Sequence, residues 1–219
     1  MKLIVAGGGT GGHLFPGIAV AEEFLSRSTD NQVLFVGSEQ GIEARTIPQL
    51  GYELELISAA GIRGKGSLAK LKGAAMLLYG YSQSRKILKK FKPDLVLGVG
   101  GYASLPMVMA ANGLGVATYI HEQNALPGKA NQVLSKVARE VFISLEESAR
   151  FFPKQKILLT GNPLRQQILE KLGEQVPEQK EQSGFKLFVF GGSQGVRTLN
   201  NVLPEAVSQL EHVWLHKLK

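Results

Sequence analysis

The chain has 219 residues, 44% hydrophobic and 20% charged, with a formal net charge of +7, the profile of an ordinary globular protein with core enough for one large or two small domains. It contains no cysteine, which excludes disulfides and thiolate chemistry and favours a cytosolic address. No apolar run approaches the roughly 20 residues of a spanning helix, and the short one after Lys2 ends in glycines, not in a signal-peptide cleavage site, so a soluble or peripheral protein is expected.

The first element expected is a buried strand at Leu3 to Ala6, followed by a glycine turn at residues 7–12 and a helix opening at Pro16. Proline suits the first turn of a helix because its missing N–H would be unpaired there anyway. The glycines admit positive φ and let a ligand approach the backbone. Successive N–H groups, with the positive end of the helix behind them, make a seat for phosphate or another developing anion. Gly7, Gly9 and Gly12 satisfy the dinucleotide spacing G-x-G-x-x-G, which is weak by itself. His13 stands at the mouth of this turn as a candidate proton acceptor.

Further along, strand and helix patterns alternate. Strands are expected at Gln32 to Val36, at Glu53 to Ile57 near a sheet edge, at Asp94 to Gly98, at Val116 to Ile120, at Val141 to Ser144 and at Lys156 to Thr160. Helices are expected at Gly41 to Leu50, at Leu68 to Phe91 with a bend near Gly80, after Pro106, and from Pro127 through Val137. A second glycine turn, Gly98-Val-Gly-Gly-Tyr-Ala-Ser-Leu-Pro106, follows the fourth strand. The segment His121-Glu-Gln-Asn124 follows the fifth. The pattern predicts an α/β fold, a Rossmann-like parallel sheet with helices on both faces, whose ligands bind beyond the carboxyl ends of the strands. Both glycine turns and the 121–124 segment should then share one crevice.

Residues 173–184 are polar and aperiodic and read as a connection between domains. The opening theme then returns as a strand at Lys186 to Phe190, a turn Gly191-Gly-Ser-Gln-Gly195 and a helix at Val196 to Leu210, with a strand fragment at His212 to Leu215. One such unit cannot bury both faces of a sheet, so this second Rossmann-like domain is expected to be incomplete. The division expected is 1–162, a connection at 163–184, and 185–219.

Charge is uneven. Between Gly61 and Pro93 lie Arg63, Lys65, Lys70, Lys72, Arg85, Lys86, Lys89, Lys90 and Lys92 with no Asp or Glu among them, which points to an anionic partner or surface. Leu68, Leu71, Met76, Leu77, Leu78, Tyr79 and Tyr81 interleave with them. That set reads either as a helix's core stripe or as a face that dips into a membrane interface while the cations meet anionic head groups.

Asp occurs only at 30 and 94, so no D-x-D pair exists to hold a metal on a diphosphate. His212 and His216 have i,i+4 spacing without a flanking Glu and do not make a metal motif. Neither a G-x-S-x-G elbow nor a P-loop is present. What remains is a metal-free anion site built of backbone amides and helix ends, suited to stabilising a nucleotide diphosphate leaving group.

Five motifs occur in order: Gly8-Gly-Thr-Gly-Gly-His13 with Phe15-Pro-Gly17, Gly100-Gly-Tyr-Ala-Ser104, His121-Glu-Gln-Asn124, Gly161-Asn-Pro-Leu-Arg165 and Gly191-Gly-Ser-Gln-Gly195. Together, from residue 1 to about Leu210, they closely resemble the MurG family of peptidoglycan glycosyltransferases. The resemblance implies a GT-B architecture of two Rossmann-like domains. It also implies inverting transfer of GlcNAc from UDP-GlcNAc to the muramyl 4-hydroxyl of lipid I, without cofactor or bound metal, at the cytoplasmic face of the inner membrane. Carried over, it sets Thr10, Gly11, Gly12, Asn124, Arg165 and Ser193 against the donor, and Gly100, Gly101, Tyr102 and Ser104 against the acceptor diphosphate. Arg165 suits a diphosphate because its fork bonds two oxygens; a linker salt bridge is the other use for it, as an Asx turn is for Asn124. His13 is the candidate base, with Glu122 the other contender. The family usually has glycine where Leu105 stands.

Two alternatives belong to other classes. An NAD-type oxidoreductase would use Gly7, Gly9 and Gly12 with Glu39 on the ribose, but it leaves the second glycine turn and the 121–124 segment without a role. A nucleic-acid-binding module would use the basic segment, and no recognised nucleic-acid motif accompanies it.

Overall fold

The computed structural model describes residues 1–59, 67–173, 187–191 and 197–209. It divides into a unit Met1–Leu169 and a unit Glu170–Lys219. The first unit is a seven-stranded parallel sheet. In chain order it runs β1 (Lys2–Gly7), α1 (Gly11–Ser26), β2 (Gln32–Gly37), α2 (Glu43–Gln49), β3 (Glu53–Leu56), α3 (Ser67–Phe91), β4 (Leu95–Gly100), α4 (Ser104–Asn112), β5 (Ala117–Glu122), α5 (Lys129–Leu134), β6 (Glu140–Ile143) and β7 (Ile157–Leu159). The order across the sheet is β3-β2-β1-β4-β5-β6-β7. The chain first winds outward from β1 to β3, then crosses to β4 and winds the other way. The reversal lies between β1 and β4, the switch point where sheets of this kind open a crevice at their carboxyl ends.

Apolar side chains alternate between the two faces of the central strands. Ile4, Ala6, Leu34, Val36, Val96 and Ile120 pack with α3, α4 and α5, while Leu3, Val5, Val33, Phe35, Leu97 and Val99 pack with α1 and α2. Burial on both faces explains why β1, β2 and β4 read as continuous apolar runs, the mark of strands in a parallel sheet.

Several boundaries differ from the sequence reading. The first helix opens at Gly11, and Pro16 sits inside it; proline there forfeits only one intrahelical bond, the one to the Gly12 carbonyl. The helix after β4 likewise opens at Ser104, two residues before Pro106. Strand β5 extends through Glu122, so His121 and Glu122 belong to the strand and not to the loop after it. Helix α5 is short, with Gly128 as its N-cap, and Asn124 does not cap it. Helix α3 is continuous through Gly80. That glycine is needed for a close approach, since a Cβ there would land on the Ser58 carbonyl oxygen. In the same contact region Ser58 N–H donates to Gln83 Oε1 at 2.7 Å.

Helix α6 (Gln166–Gly173) begins in the first unit, within the stretch expected as connection. In the second unit, α7 (Arg197–Ser208) matches the helix expected at Val196 to Leu210. Of the strand expected at Lys186 to Phe190, the described residues Leu187 to Phe190 form none, and Phe188 and Phe190 are exposed; among the described residues no strand lies beside them to complete a ladder. Ser193, most of the connection at 173–184, Arg63, Lys65 and the fragment His212 to Leu215 lie outside the described residues.

Candidate functional site

The carboxyl ends of β1, β4 and β5 converge. Gly8 N–H donates to the Gly100 carbonyl at 3.1 Å, tying the first glycine turn to the second. Gly100 and Gly101 have φ of 97° and 79°, conformations open to glycine and strained for other residues. A Cβ on Gly101 would fall on the Gly8 backbone. One on Gly100 would stand 2.8 Å from His13 Nδ1. The two turns therefore touch backbone to backbone with the His13 ring packed over Gly100, and they share one crevice as the parallel topology requires.

Not every amide of the first turn faces that crevice. Gly9 N–H donates to Glu43 Oε2 at 2.7 Å, and Glu43 Oε1 accepts from Ser38 N–H at 2.9 Å and from Ser38 Oγ–H at 3.0 Å. Glu43 is 1% exposed. The sequence reading missed this carboxylate, which lies under the turn and fixes its shape; the available signal was a lone Glu at the start of an otherwise apolar helix face. With Gly8 and Gly9 engaged, the N–H groups left for an anion are those of Thr10, Gly11 and Gly12, unpaired by the geometry of a helix start. Thr10 is the N-cap, and its side chain makes no capping bond. His13 N–H returns to the Thr10 carbonyl at 3.2 Å.

The other donor candidates lie around this turn. The Arg165 guanidinium stacks over the Phe15 ring, 4.6 Å from its centroid, and the same ring lies against Gly11. Arg165 Nε is buried without a hydrogen-bond partner among the described residues, and no acidic side chain pairs with the guanidinium there. Asn124 is exposed, its side-chain N–H donating to Glu122 Oε1 at 3.0 Å.

Glu122 is fully buried. Its Oε1 accepts from the backbone and side-chain N–H groups of Asn124, both at 3.0 Å. Its Oε2 accepts from Gly128 N–H at 3.2 Å and from Asn131 Nδ2–H at 2.9 Å. Four donors occupy its two oxygens, so the geometry is that of a carboxylate organising the 123–128 loop and not of a base open to substrate. In the second turn Tyr102 is 58% exposed, but Ser104 is fully buried. Its hydroxyl packs over Gly98, 2.5 Å from where a Cβ would sit, without a partner among the described residues. Burial removes Ser104 from ligand contact and leaves Tyr102 and the turn's backbone.

His121 and Gln123 complete the centre. His121 Nε2 lies 3.2 Å from the Gly161 carbonyl and Nδ1 lies 2.9 Å from Gln123 Nε2, while Gln123 Oε1 lies 2.8 Å from His13 Nδ1. Burial holds the His121 imidazole below its ordinary value, opposed by the Gly161 hydrogen bond and the Glu122 charge and reinforced by His13.

Residues 3–143 match the family described as the glycosyltransferase family 28 N-terminal domain. A protein of Trichlorobacter lovleyi named UDP-N-acetylglucosamine--N-acetylmuramyl-(pentapeptide) pyrophosphoryl-undecaprenol N-acetylglucosamine transferase is 72% identical, over 96% of this chain and 59% of its own length. One of the same name from Geobacter metallireducens is 62% identical, over 97% of this chain and 58% of its own. The crystal structure of Acinetobacter baumannii MurG superposes with a TM-score of 0.74 at 31% identity, over 96% of this chain and 58% of that one. The chain thus spans just under three-fifths of the length of the relatives it matches.

Proposed function

The chain belongs to glycosyltransferase family 28, and from that premise we propose that it forms the N-terminal half of an inverting GT-B enzyme that converts lipid I to lipid II. In the reaction the muramyl 4-hydroxyl of undecaprenyl-diphosphate-linked MurNAc-pentapeptide attacks the anomeric carbon of UDP-GlcNAc. The new C–O bond forms as the bond to the UDP oxygen breaks, and the hydroxyl proton passes to His13. The observation that carries the reading is the meeting of His13 with both glycine turns at the β1/β4 switch point.

Within it, the free amides of Thr10, Gly11 and Gly12 and the Arg165 fork stabilise charge developing on the donor diphosphate, with Asn124 and Ser193 as further donor contacts. Gly100, Gly101 and Tyr102 receive the acceptor diphosphate. His13 is the base, and Glu122 holds the loop that positions its neighbours. Residues 1–162 make the acceptor-side domain, 163–184 the connection and 185–219 the start of the UDP-GlcNAc domain.

The membrane contact expected around residues 62–92 belongs to the same proposal. No helix among the described residues is long and apolar enough to cross a membrane. On α3, Leu71 and Leu78 are about 70% exposed and Tyr79 is 60% exposed, with Lys86 and Lys89 exposed further along. That arrangement supports a peripheral contact, in which exposed apolar side chains dip into the interface while the cations meet anionic head groups. Leu78→Glu is expected to abolish sedimentation with anionic vesicles without changing thermal stability; unchanged sedimentation would refute the contact.

Calorimetric titration of the 219-residue chain tests the whole reading. Binding of a soluble lipid I analogue with little binding of UDP-GlcNAc is expected, together with no turnover by these residues alone. Tight donor binding without acceptor binding would mean that the roles of the two halves are reversed.

A further inference from the structure

Gln123 of the 121–124 motif has no role in the reading above. It follows β5 directly, and its side-chain amide lies between two imidazoles, Oε1 at 2.8 Å from His13 Nδ1 and Nε2 at 2.9 Å from His121 Nδ1. Nε2 also lies 3.1 Å from the Val99 carbonyl oxygen. A carbonyl oxygen only accepts, so the amide atom facing Val99 is the nitrogen. Turning the amide over would set two oxygens against each other. With the amide fixed, Oε1 faces His13, and His13 Nδ1 must carry the hydrogen. A neutral His13 is therefore bare at Nε2.

The far end of the chain gives the same answer independently. His121 Nε2 faces the Gly161 carbonyl at 3.2 Å and so carries its hydrogen, with Ser144 Oγ at 3.4 Å beside it. That leaves His121 Nδ1 as the acceptor which the second Gln123 N–H needs. Burial lowers the His121 pKa and so disfavours the charged ring, in keeping with that role. Two backbone carbonyls, Val99 on β4 and Gly161 after β7, thus fix every hydrogen in the row.

We propose that Gln123 is a positioning residue that locks His13 in the Nδ1–H tautomer and leaves Nε2 as its single proton-accepting atom. This rests on the reading of His13 as the base. The proton from the acceptor hydroxyl arrives at Nε2, and the imidazolium so formed keeps Nδ1–H on Gln123 Oε1 without any further proton movement. Fixing the tautomer through the nitrogen remote from the chemistry is a general device of catalytic and metal-binding imidazoles.

The test is the tautomer itself. Long-range ¹H–¹⁵N spectra of the chain labelled with ¹⁵N-histidine, at about pH 8 where free imidazoles are neutral, report which nitrogen of each ring bears hydrogen. Single substitutions at His13 and His121 assign the signals. His13 is expected protonated on Nδ1 and bare on Nε2, and His121 the reverse. Gln123→Leu is expected to convert His13 to a mixture with Nε2–H populated, while His121 keeps Nε2–H because Gly161 is untouched. A parent chain with His13 as Nε2–H would overturn the proposal, as would a folded Gln123→Leu variant with an unchanged His13 tautomer. The parent spectrum decides the matter even if the variant does not fold. No substrate enters the measurement, so a result against the lock leaves the transferase reading standing, and failure of transfer leaves the tautomer assignment intact.

Discussion

Glu122 separates a buried structural carboxylate from a catalytic one. In Glu122→Gln the side chain keeps its shape but one oxygen becomes NH₂. Asn124 presents two donors on one side, and Gly128 and Asn131 present two on the other, so either orientation of the amide sets a donor against two donors. A hydrogen bond to a charged group contributes about 1.5–3 kcal/mol, and a buried donor left unpaired costs about 1–3 kcal/mol. Asn131 gains nothing by turning its own amide, because its Nδ2 also donates to the His121 carbonyl at 3.1 Å and an oxygen would then face an oxygen. The net loss expected is about 2–4 kcal/mol, which for a chain of this size lowers Tm by about 5–15 °C. Scanning calorimetry with a urea titration measures it, and Glu146→Gln, at an exposed position, serves as a control expected within about 0.5 kcal/mol of the parent. If Glu122 were instead the base, the amide would abolish transfer and leave stability nearly unchanged. A folded Glu122→Gln whose Tm falls by less than about 2 °C, the shift expected for under 1 kcal/mol, would refute the assignment of this carboxylate to the loop.

Lys156 Nζ donates to the carbonyls of Ser135, Lys136 and Ala138 at 3.2, 2.9 and 2.7 Å, closing the end of α5. Lys156→Met is expected to cost about 2 kcal/mol, read as a lower urea midpoint with unchanged slope. The folded-state pKa of His121 lies below its unfolded value of 6.5, so below about pH 6.5 the unfolded chain binds more protons and stability falls. Stability is full above that pH and is lost as pH drops through the interval beneath it; denaturant unfolding at a series of pH values should lose this slope in His121→Asn. Gly101→Ala drives a methyl into the Gly8 backbone at a positive φ and is expected to cost at least about 1–2 kcal/mol and to abolish binding of the acceptor analogue, whereas Gly115→Ala, at a similar φ but with open space around it, should cost strain alone and leave binding unchanged.

The sheet was legible because its central strands are buried on both faces, so Leu3 to Ala6, Gln32 to Val36 and the 95–100 run stand out as apolar against any helical period. What was illegible were ends where polar groups are paid in distant partners. His121 and Glu122 look like loop residues until the Gly161 carbonyl and the Asn124, Gly128 and Asn131 donors are seen to meet them. Pro16 looks like a helix start because proline favours the first turn, yet Gly11 and Gly12 are tolerated as the true start since their amides have no intrahelical partner to lose. Gly80 looks like a hinge until the Ser58 carbonyl is found against it.

The site follows the same division. Glycine turns at strand ends announce a phosphate seat by type and spacing, and they do meet here. Which amides are free depends on Glu43, and that carboxylate is 34 residues away in sequence from the Gly9 N–H it holds. His13 is conspicuous as an imidazole beside a glycine turn, but which nitrogen can act is set by Gln123 and by the carbonyls of Val99 and Gly161, none of which carries a sequence signal for that role. Residue type thus marks where chemistry can happen, and the backbone carbonyls brought in by the parallel crossovers determine what each side chain can do there. A family motif such as 121–124 therefore holds four unlike duties: His121 anchors, Glu122 organises a loop, Gln123 orients a neighbour, and Asn124 keeps an exposed amide on the side where the donor is proposed to bind.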